Sequence, residues 1–236
     1  MIKFYFNAAP NPAKIALFLE EASLPYEIVP VDTRKGEQFR PDFLALNPNA
    51  KVPAIVDGDV LVFDSNAILL YLAEKTGRFL PDNAPKQRGE LLSWLMFIGT
   101  GLGPYSGQAV HFRHYAPKGL DYAMSRYQYE ARRHYAILDA RLADREFLLG
   151  ASYTIVDMAA WGWARLVPYI LGEDAWSELP NLKRWLNDIS ARPAAIRASA
   201  LKDRYNFKAE MDDEARRHLF RHLQAAGTTE QGTGTS

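Results

Sequence analysis

Val52-Pro53 heads an apolar run that continues through Val56 and reads as a buried strand, an awkward place for proline because it removes a donor from the ladder. A cis peptide at the start of the strand accommodates it, turning the preceding backbone outward so that the N–H and C=O of Val52 face a ligand. Alternatively, Pro53 is an ordinary edge-strand proline. Further on, Asp64-Ser65 stands where a helix begins, since Ala67, Ile68, Leu69, Tyr71 and Leu72 follow at helical spacing. Free N–H groups at a helix start, beside a serine hydroxyl, suit a carboxylate, although a residue in this position also serves simply as an N-cap. Together, an outward-facing strand end and a carboxylate-binding helix start suit an extended peptide, held by its backbone and its charge.

Around this pair the chain reads as two kinds of structure. Ile2–Phe6 and Tyr26–Val31 read as strands flanking a helix from Lys14 to Ala22, the pattern of a parallel βαβ unit. The stretch Asn7–Pro12 reads as a turn before that helix. A short helix near Pro41 to Leu46 follows, and then a hairpin whose tight turn is Asp57-Gly58, before the helix from Asp64 to about Thr76. From Leu80-Pro-Asp-Asn-Ala-Pro85 onward the signals are helical. Thr154-x-x-Asp157 has the form of a capping box ahead of an apolar run. These readings divide the chain into residues 1–82, an α/β domain; 86–205, an all-α domain; and 206–236, a charged extension. Its last part, Gly227 to Ser236, has the low-complexity composition of a disordered tail.

The 236 residues include no cysteine, which excludes disulfides, thiolate-bound zinc and any mechanism with a protein thiol as nucleophile. If sulfur chemistry takes place, a bound small molecule supplies the sulfur. With 28 basic and 28 acidic residues the net charge is zero, so no nucleic-acid footprint is expected. Neither a membrane span nor a signal peptide is legible, and a cytoplasmic location is expected.

Val52-Pro53, Asp64-Ser65, Tyr71-Leu72 and Thr154-x-x-Asp157, in this order, resemble the cytosolic glutathione transferase superfamily from residue 1 to about residue 200. The motifs Ala9-Pro10-Asn11, Lys35-Gly36-x-Gln38-Phe39, Asn47-Pro-Asn-Ala-Lys-Val-Pro53 and Gly101-Leu-Gly-Pro104 with Gln108 are similar to those of its nu class. The resemblance implies a thioredoxin-like N-terminal domain and an all-helical C-terminal glutathione transferase domain. It further implies a homodimer that uses glutathione, possibly two molecules per subunit, as the source of the thiolate. The expected activity is disulfide-bond reduction or attack on a small electrophile; a non-catalytic glutathione-binding regulator is the alternative.

Carried over residue by residue, the resemblance places the cysteinyl backbone of glutathione on Val52, beside Pro53, and its γ-glutamyl end on Asp64 and Ser65. Gln38 and Lys51 fall to the glycyl end, and Arg126 to the glutathione of the neighbouring subunit, unless Arg126 is only an exposed helix charge. Asn11, at the start of the first helix, becomes the candidate catalytic residue, stabilising the thiolate; a plain turn role in Pro-Asn-Pro is its alternative. Many nu-class proteins carry threonine where Ala9 stands, so one hydroxyl donor is absent here. Tyr105, His111, Phe112, Tyr169 and Tyr205 are candidates for the electrophile pocket or, equally, core packing. His111-x-x-His114 and the pair His218 and His222 have metal-compatible spacing, but no third ligand is legible and no metal is expected.

Overall fold

In the computed structural model, which describes residues 1–82 and 84–222, strand β1 (Ile2–Phe6) buries Ile2, Phe4 and Phe6 and turns Lys3 and Tyr5 outward. That alternation puts one face of the strand on the core. Helix α1 (Pro10–Ala22) crosses to β2 (Tyr26–Pro30), which pairs parallel with β1, Ile2 opposite Tyr26. Then come a short 3₁₀ turn (Glu37–Phe39), α2 (Pro41–Leu46), β3 (Ala54–Asp57), β4 (Val60–Phe63) and α3 (Ser65–Thr76). The sheet order is β2-β1-β3-β4, with β3 antiparallel to both of its neighbours. Pro53 therefore precedes an interior strand, not an edge, and the Val52–Pro53 peptide bond is cis.

The first helix starts at Pro10, four residues ahead of the Lys14 expected from the sequence. Pro10 and Pro12 belong to the helix and not to the turn that the sequence predicts there. Proline is tolerated in the first helical turn because the N–H it lacks has no intrahelical acceptor there.

The rest is helical. Helix α4 (Pro85–Phe97), a π turn (Ile98–Leu102) and α5 (Gly103–His114) form one continuous rod, followed by α6 (Asp121–Arg141), α7 (Ile155–Ala164) and α8 (Val167–Leu171). Helices α9 (Pro180–Ser190), α10 (Pro193–Ala200) and α11 (Asp213–Leu219) complete the described chain. Nearly every residue of α7 is buried, and it lies against α1. One apolar core joins the two halves, with Phe4, Phe18 and Leu69 in the same cluster as Leu95, Trp161 and Trp185. Ion pairs Glu21–Arg192 and Glu20–Arg197 fasten the end of α1 to the helical half. Among the described residues no helix is long and apolar enough to cross a membrane. The tail expected over Gly227 to Ser236 lies outside the described residues.

Candidate functional site

The start of α3 is half closed by its own chain. Asp64, at φ 72°, caps the helix through one carboxylate oxygen, which accepts from the N–H groups of Asn66 (2.9 Å) and Ala67 (3.2 Å). Its other oxygen has no partner among the described residues, and neither has the N–H of Ser65. The Ser65 hydroxyl lies 3.2 Å from Nζ of Lys14. The helical half steadies this corner: Asn66 Nδ2 donates to Leu95 O at 2.8 Å, and a methyl on Gly99 would come within 2.7 Å of the same nitrogen.

The hairpin register brings the strand end alongside. Ala54 lies opposite Phe63, so Val52 and Pro53 run past Asp64. The N–H and C=O of Val52 pair with no described residue. Lys51 is exposed, and its C=O accepts from Asn47 Nδ2 at 2.7 Å.

The start of α1 has almost no donors left. Pro10 and Pro12 have no N–H; Ala13 N–H bonds back to Ala9 O (3.3 Å), and Ala9 N–H goes to Asn7 Oδ1 (3.0 Å). Asn11 alone keeps a backbone N–H without a partner among the described residues. Its side chain is oriented from the helical half, because Trp163 Nε1–H donates to Asn11 Oδ1 at 3.1 Å. An indole can only donate, so it fixes which end of the amide is the oxygen and leaves Nδ2 as a free donor. Trp163 lies against Gly103, where a methyl would sit 3.0 Å from its Nε1.

Next to these groups opens a cleft of about 600 Å³, walled by Ala9, Pro10, Thr33 and Arg34 on one side and His111, Trp163 and Tyr169 on the other. The third wall is the C-terminal segment: Phe207, Lys208, Met211, Leu219 and Phe220. It is tied down by Arg34 Nη1 donating to Lys208 O (3.0 Å), by Lys208 N–H donating to Asp32 Oδ2 (2.7 Å), and by the Phe220 ring against His111 (4.9 Å). Burial, and to a lesser degree His222, hold the His111 imidazole below its ordinary pKa. This wall, read from the sequence only as a charged extension, was signalled by Phe207, Met211, Ala215 and Leu219, four apolar residues at i, i+4 spacing within charged sequence.

Of the expected pocket residues, His111 and Tyr169 line the cleft, whereas Tyr105 and Phe112 do not. Tyr105 packs against His134 (5.0 Å), Phe112 stacks on Tyr127 (5.1 Å), and Tyr205 lies beside Phe207. Gln38 is buried; its Nε2 donates to Thr33 O at 3.2 Å, while its Oε1 has no partner among the described residues. Arg126 is exposed on α6 and makes no ion pair among the described residues, with Tyr122, Met124 and Tyr129 exposed nearby. His114 stacks on Tyr169 at 4.0 Å, and the described residues contain no group of three or more side chains that could hold a metal.

Residues 1–74 match the family model of the glutathione S-transferase N-terminal domain, and residues 123–193 that of the C-terminal domain. The chain is 43% identical over 228 residues to the disulfide-bond oxidoreductase YfcG of Escherichia coli K12, spanning 91% of this chain and 98% of that one. It is 37% identical over 215 residues to the disulfide-bond oxidoreductase YghU of the same organism, spanning 83% and 73%. Among solved structures, a glutathione transferase family member from Pseudomonas fluorescens Pf-5 with two glutathione bound superposes with a TM-score of 0.80 at 38% identity, covering 84% of this chain and 92% of that one.

Proposed function

The chain belongs to the glutathione S-transferase family, and we propose that it is a glutathione-dependent enzyme that reduces small disulfides or attacks small electrophiles. One observation carries this reading: a chain without cysteine leaves the Val52 backbone, Asp64-Ser65 and Asn11 open on three neighbouring elements. Relatives named as disulfide-bond oxidoreductases favour an enzyme over a regulator.

The open groups fit glutathione. Val52 offers an N–H and a C=O to the cysteinyl backbone; Asp64's free oxygen takes the γ-glutamyl ammonium, and Ser65's N–H and hydroxyl take its carboxylate. For the glycyl end exposed Lys51 is left to pair with the carboxylate, while the amide oxygen of Gln38 is closed off from the surface. Bound glutathione supplies the thiolate. Asn11 then donates to it through the Nδ2 that Trp163 leaves free, and through its own N–H at the positive end of α1. A charge-assisted hydrogen bond of about 1.5–3 kcal/mol and a helix-start contribution of about 0.3–1 kcal/mol would move a thiol from about 8.5 to between about 5.5 and 7. About half of it or more is then ionised at neutral pH, without the hydroxyl missing at Ala9.

The cleft beside Asn11 is the place for the disulfide, the electrophile or a second glutathione, with His111 and Tyr169 on its wall. A dimer formed across the exposed α6 face would bring Arg126 to the neighbouring subunit's glutathione. The test is the initial rate as a function of glutathione concentration. Reduction of a small disulfide, which consumes two glutathione thiols, is expected to rise more steeply than first order at low glutathione; conjugation to an aryl halide is expected to be first order. If glutathione binds but neither reaction outpaces free glutathione, the enzyme reading fails.

A further inference from the structure

Lys14 is 2% exposed in α1, and its ammonium reaches the start of α3 with three donors and, among the described residues, a single acceptor, Ser65 Oγ at 3.2 Å. No carboxylate lies within ion-pair distance of it among the described residues. The stem is let through by Gly162 of α7, where a methyl would sit 2.6 Å from Lys14 Cγ and from Pro10 O. A buried cation without a counter-charge is strongly disfavoured, yet this one points at the spot where Ser65 offers an N–H unused among the described residues. We propose that Lys14 is a positioning residue whose ammonium, acting through the Ser65 hydroxyl, is the counter-charge of the ligand's γ-glutamyl carboxylate, so that carboxylate and proton bind together. This rests on the reading of Asp64-Ser65 as the γ-glutamyl site.

Burial brings the Lys14 pKa down to about 7, with the charge of Asp64 opposing. Among the described residues the surroundings offer no other neutralising charge. On α7 the nearest acid is Asp157, whose carboxylate is taken up by Leu148, Thr154 and Trp185. Arg165, just past its end, stacks on Trp161. On α10, Arg197 pairs with Glu20, and Glu21 pairs with Arg192. Around neutrality the free protein is thus a mixture of charged and neutral Lys14. A carboxylate docked one hydroxyl away raises its hold on the proton, and by reciprocity the proton strengthens the carboxylate by the same factor. Below about pH 7 Lys14 is already charged and the affinity is level. Above it the ligand must bring a proton, so affinity falls, by up to about tenfold per pH unit, until the pKa of the bound state is reached.

S-methylglutathione is the probe, because it cannot form a thiolate and so adds no titration of its own sulfur. Carbon-13 NMR of lysine Cε in the wild-type protein should show one lysine titrating near neutrality, well below the ordinary lysine value of about 10.4. Saturating S-methylglutathione should raise that midpoint by about one unit or more, a coupling of about tenfold. Lys14→Met should abolish this signal, bind S-methylglutathione several-fold more weakly than wild type at pH 6.5, and match wild type at pH 8.5. Should Lys14→Met not fold, the wild-type titration decides alone. Binding of S-methylglutathione with no lysine midpoint moved overturns the role of Lys14 only, whereas no binding at any pH overturns the glutathione site and this inference with it.

Discussion

Helices α1 and α7 lie against each other, yet they begin in opposite ways. At α7 the chain satisfies every donor itself: Ile155 N–H goes to Phe79 O (3.0 Å), Val156 N–H to Thr154 Oγ1 (3.3 Å) and Asp157 N–H to Thr154 O (3.0 Å). Asp157, fully buried, accepts in return from the N–H groups of Thr154 (3.0 Å) and Leu148 (2.9 Å), the Thr154 hydroxyl and Trp185 Nε1 (3.0 Å). Burial still pushes its carboxyl up to about 6. At α1 no side chain caps the helix, two of the first three residues are prolines, and Asn11 keeps its donors. Both starts have the same dipole. A terminus closed by its own chain serves folding, and one left open beside a cleft is, in the proposed reading, reserved for a ligand; α3 stands between the two, half capped by Asp64 and half open at Ser65.

Substitutions at the three starts should separate these roles, and the closed one should give the largest effect. Asp157→Ala strands four buried donors, and breaking a buried network of this kind should cost about 3–5 kcal/mol in urea unfolding. Glutathione affinity of the folded fraction should be unchanged; a stable Asp157→Ala protein that has lost glutathione would erase the distinction. At the half-open start, Asp64→Asn keeps a good cap and Ser65→Ala keeps the helix, so calorimetry should show glutathione weakened by about 1.5–3 kcal/mol in each. Stability should change by less than about 1 kcal/mol, and equal losses of stability and affinity would mean that this start, too, serves only folding. The smallest effect is expected at the open start. Trp163→Phe releases the amide of Asn11, and kcat should fall by the equivalent of about 0.5–1.5 kcal/mol with little change in the KM for glutathione. Asn11→Ala should lower kcat further, and adding Trp163→Phe to it should then cost nothing more; additive losses would show that the indole acts by some other route.

What the sequence disclosed follows the reach of each interaction. The cap at Thr154 and Asp157 is written within four residues, and the hairpin at Asp57-Gly58 and the helix start at Asp64 are equally local. The cis Val52–Pro53 peptide was legible because proline at the head of an apolar strand admits few geometries. Lys14 was read only as the first residue of a helix, since lysine is rarely buried, and nothing nearby announces that Gly162 makes room for its stem. Trp163 meets Asn11 across 152 positions of sequence, so no local pattern joins them. The same distance problem left Tyr105 and Phe112 indistinguishable from His111 and Tyr169: all are aromatic residues on helices, and only packing decides which face the cleft.

The two sides of the cleft also differ in how freely they can change. The side proposed for the sulfur is made of helix starts and a strand end, whose open groups are in large part backbone N–H and C=O set by the fold itself. The opposite wall hangs on the end of the chain: Phe207, Met211, Leu219 and Phe220 come from a short terminal segment anchored to Asp32 and Arg34 largely through its own backbone. Anchors of that kind do not depend on which side chains the segment carries. Natural variation, or a library restricted to Phe207, Met211 and Leu219 with Phe220 kept on His111, can therefore reshape this wall of the cleft like an interchangeable jaw on a fixed vice.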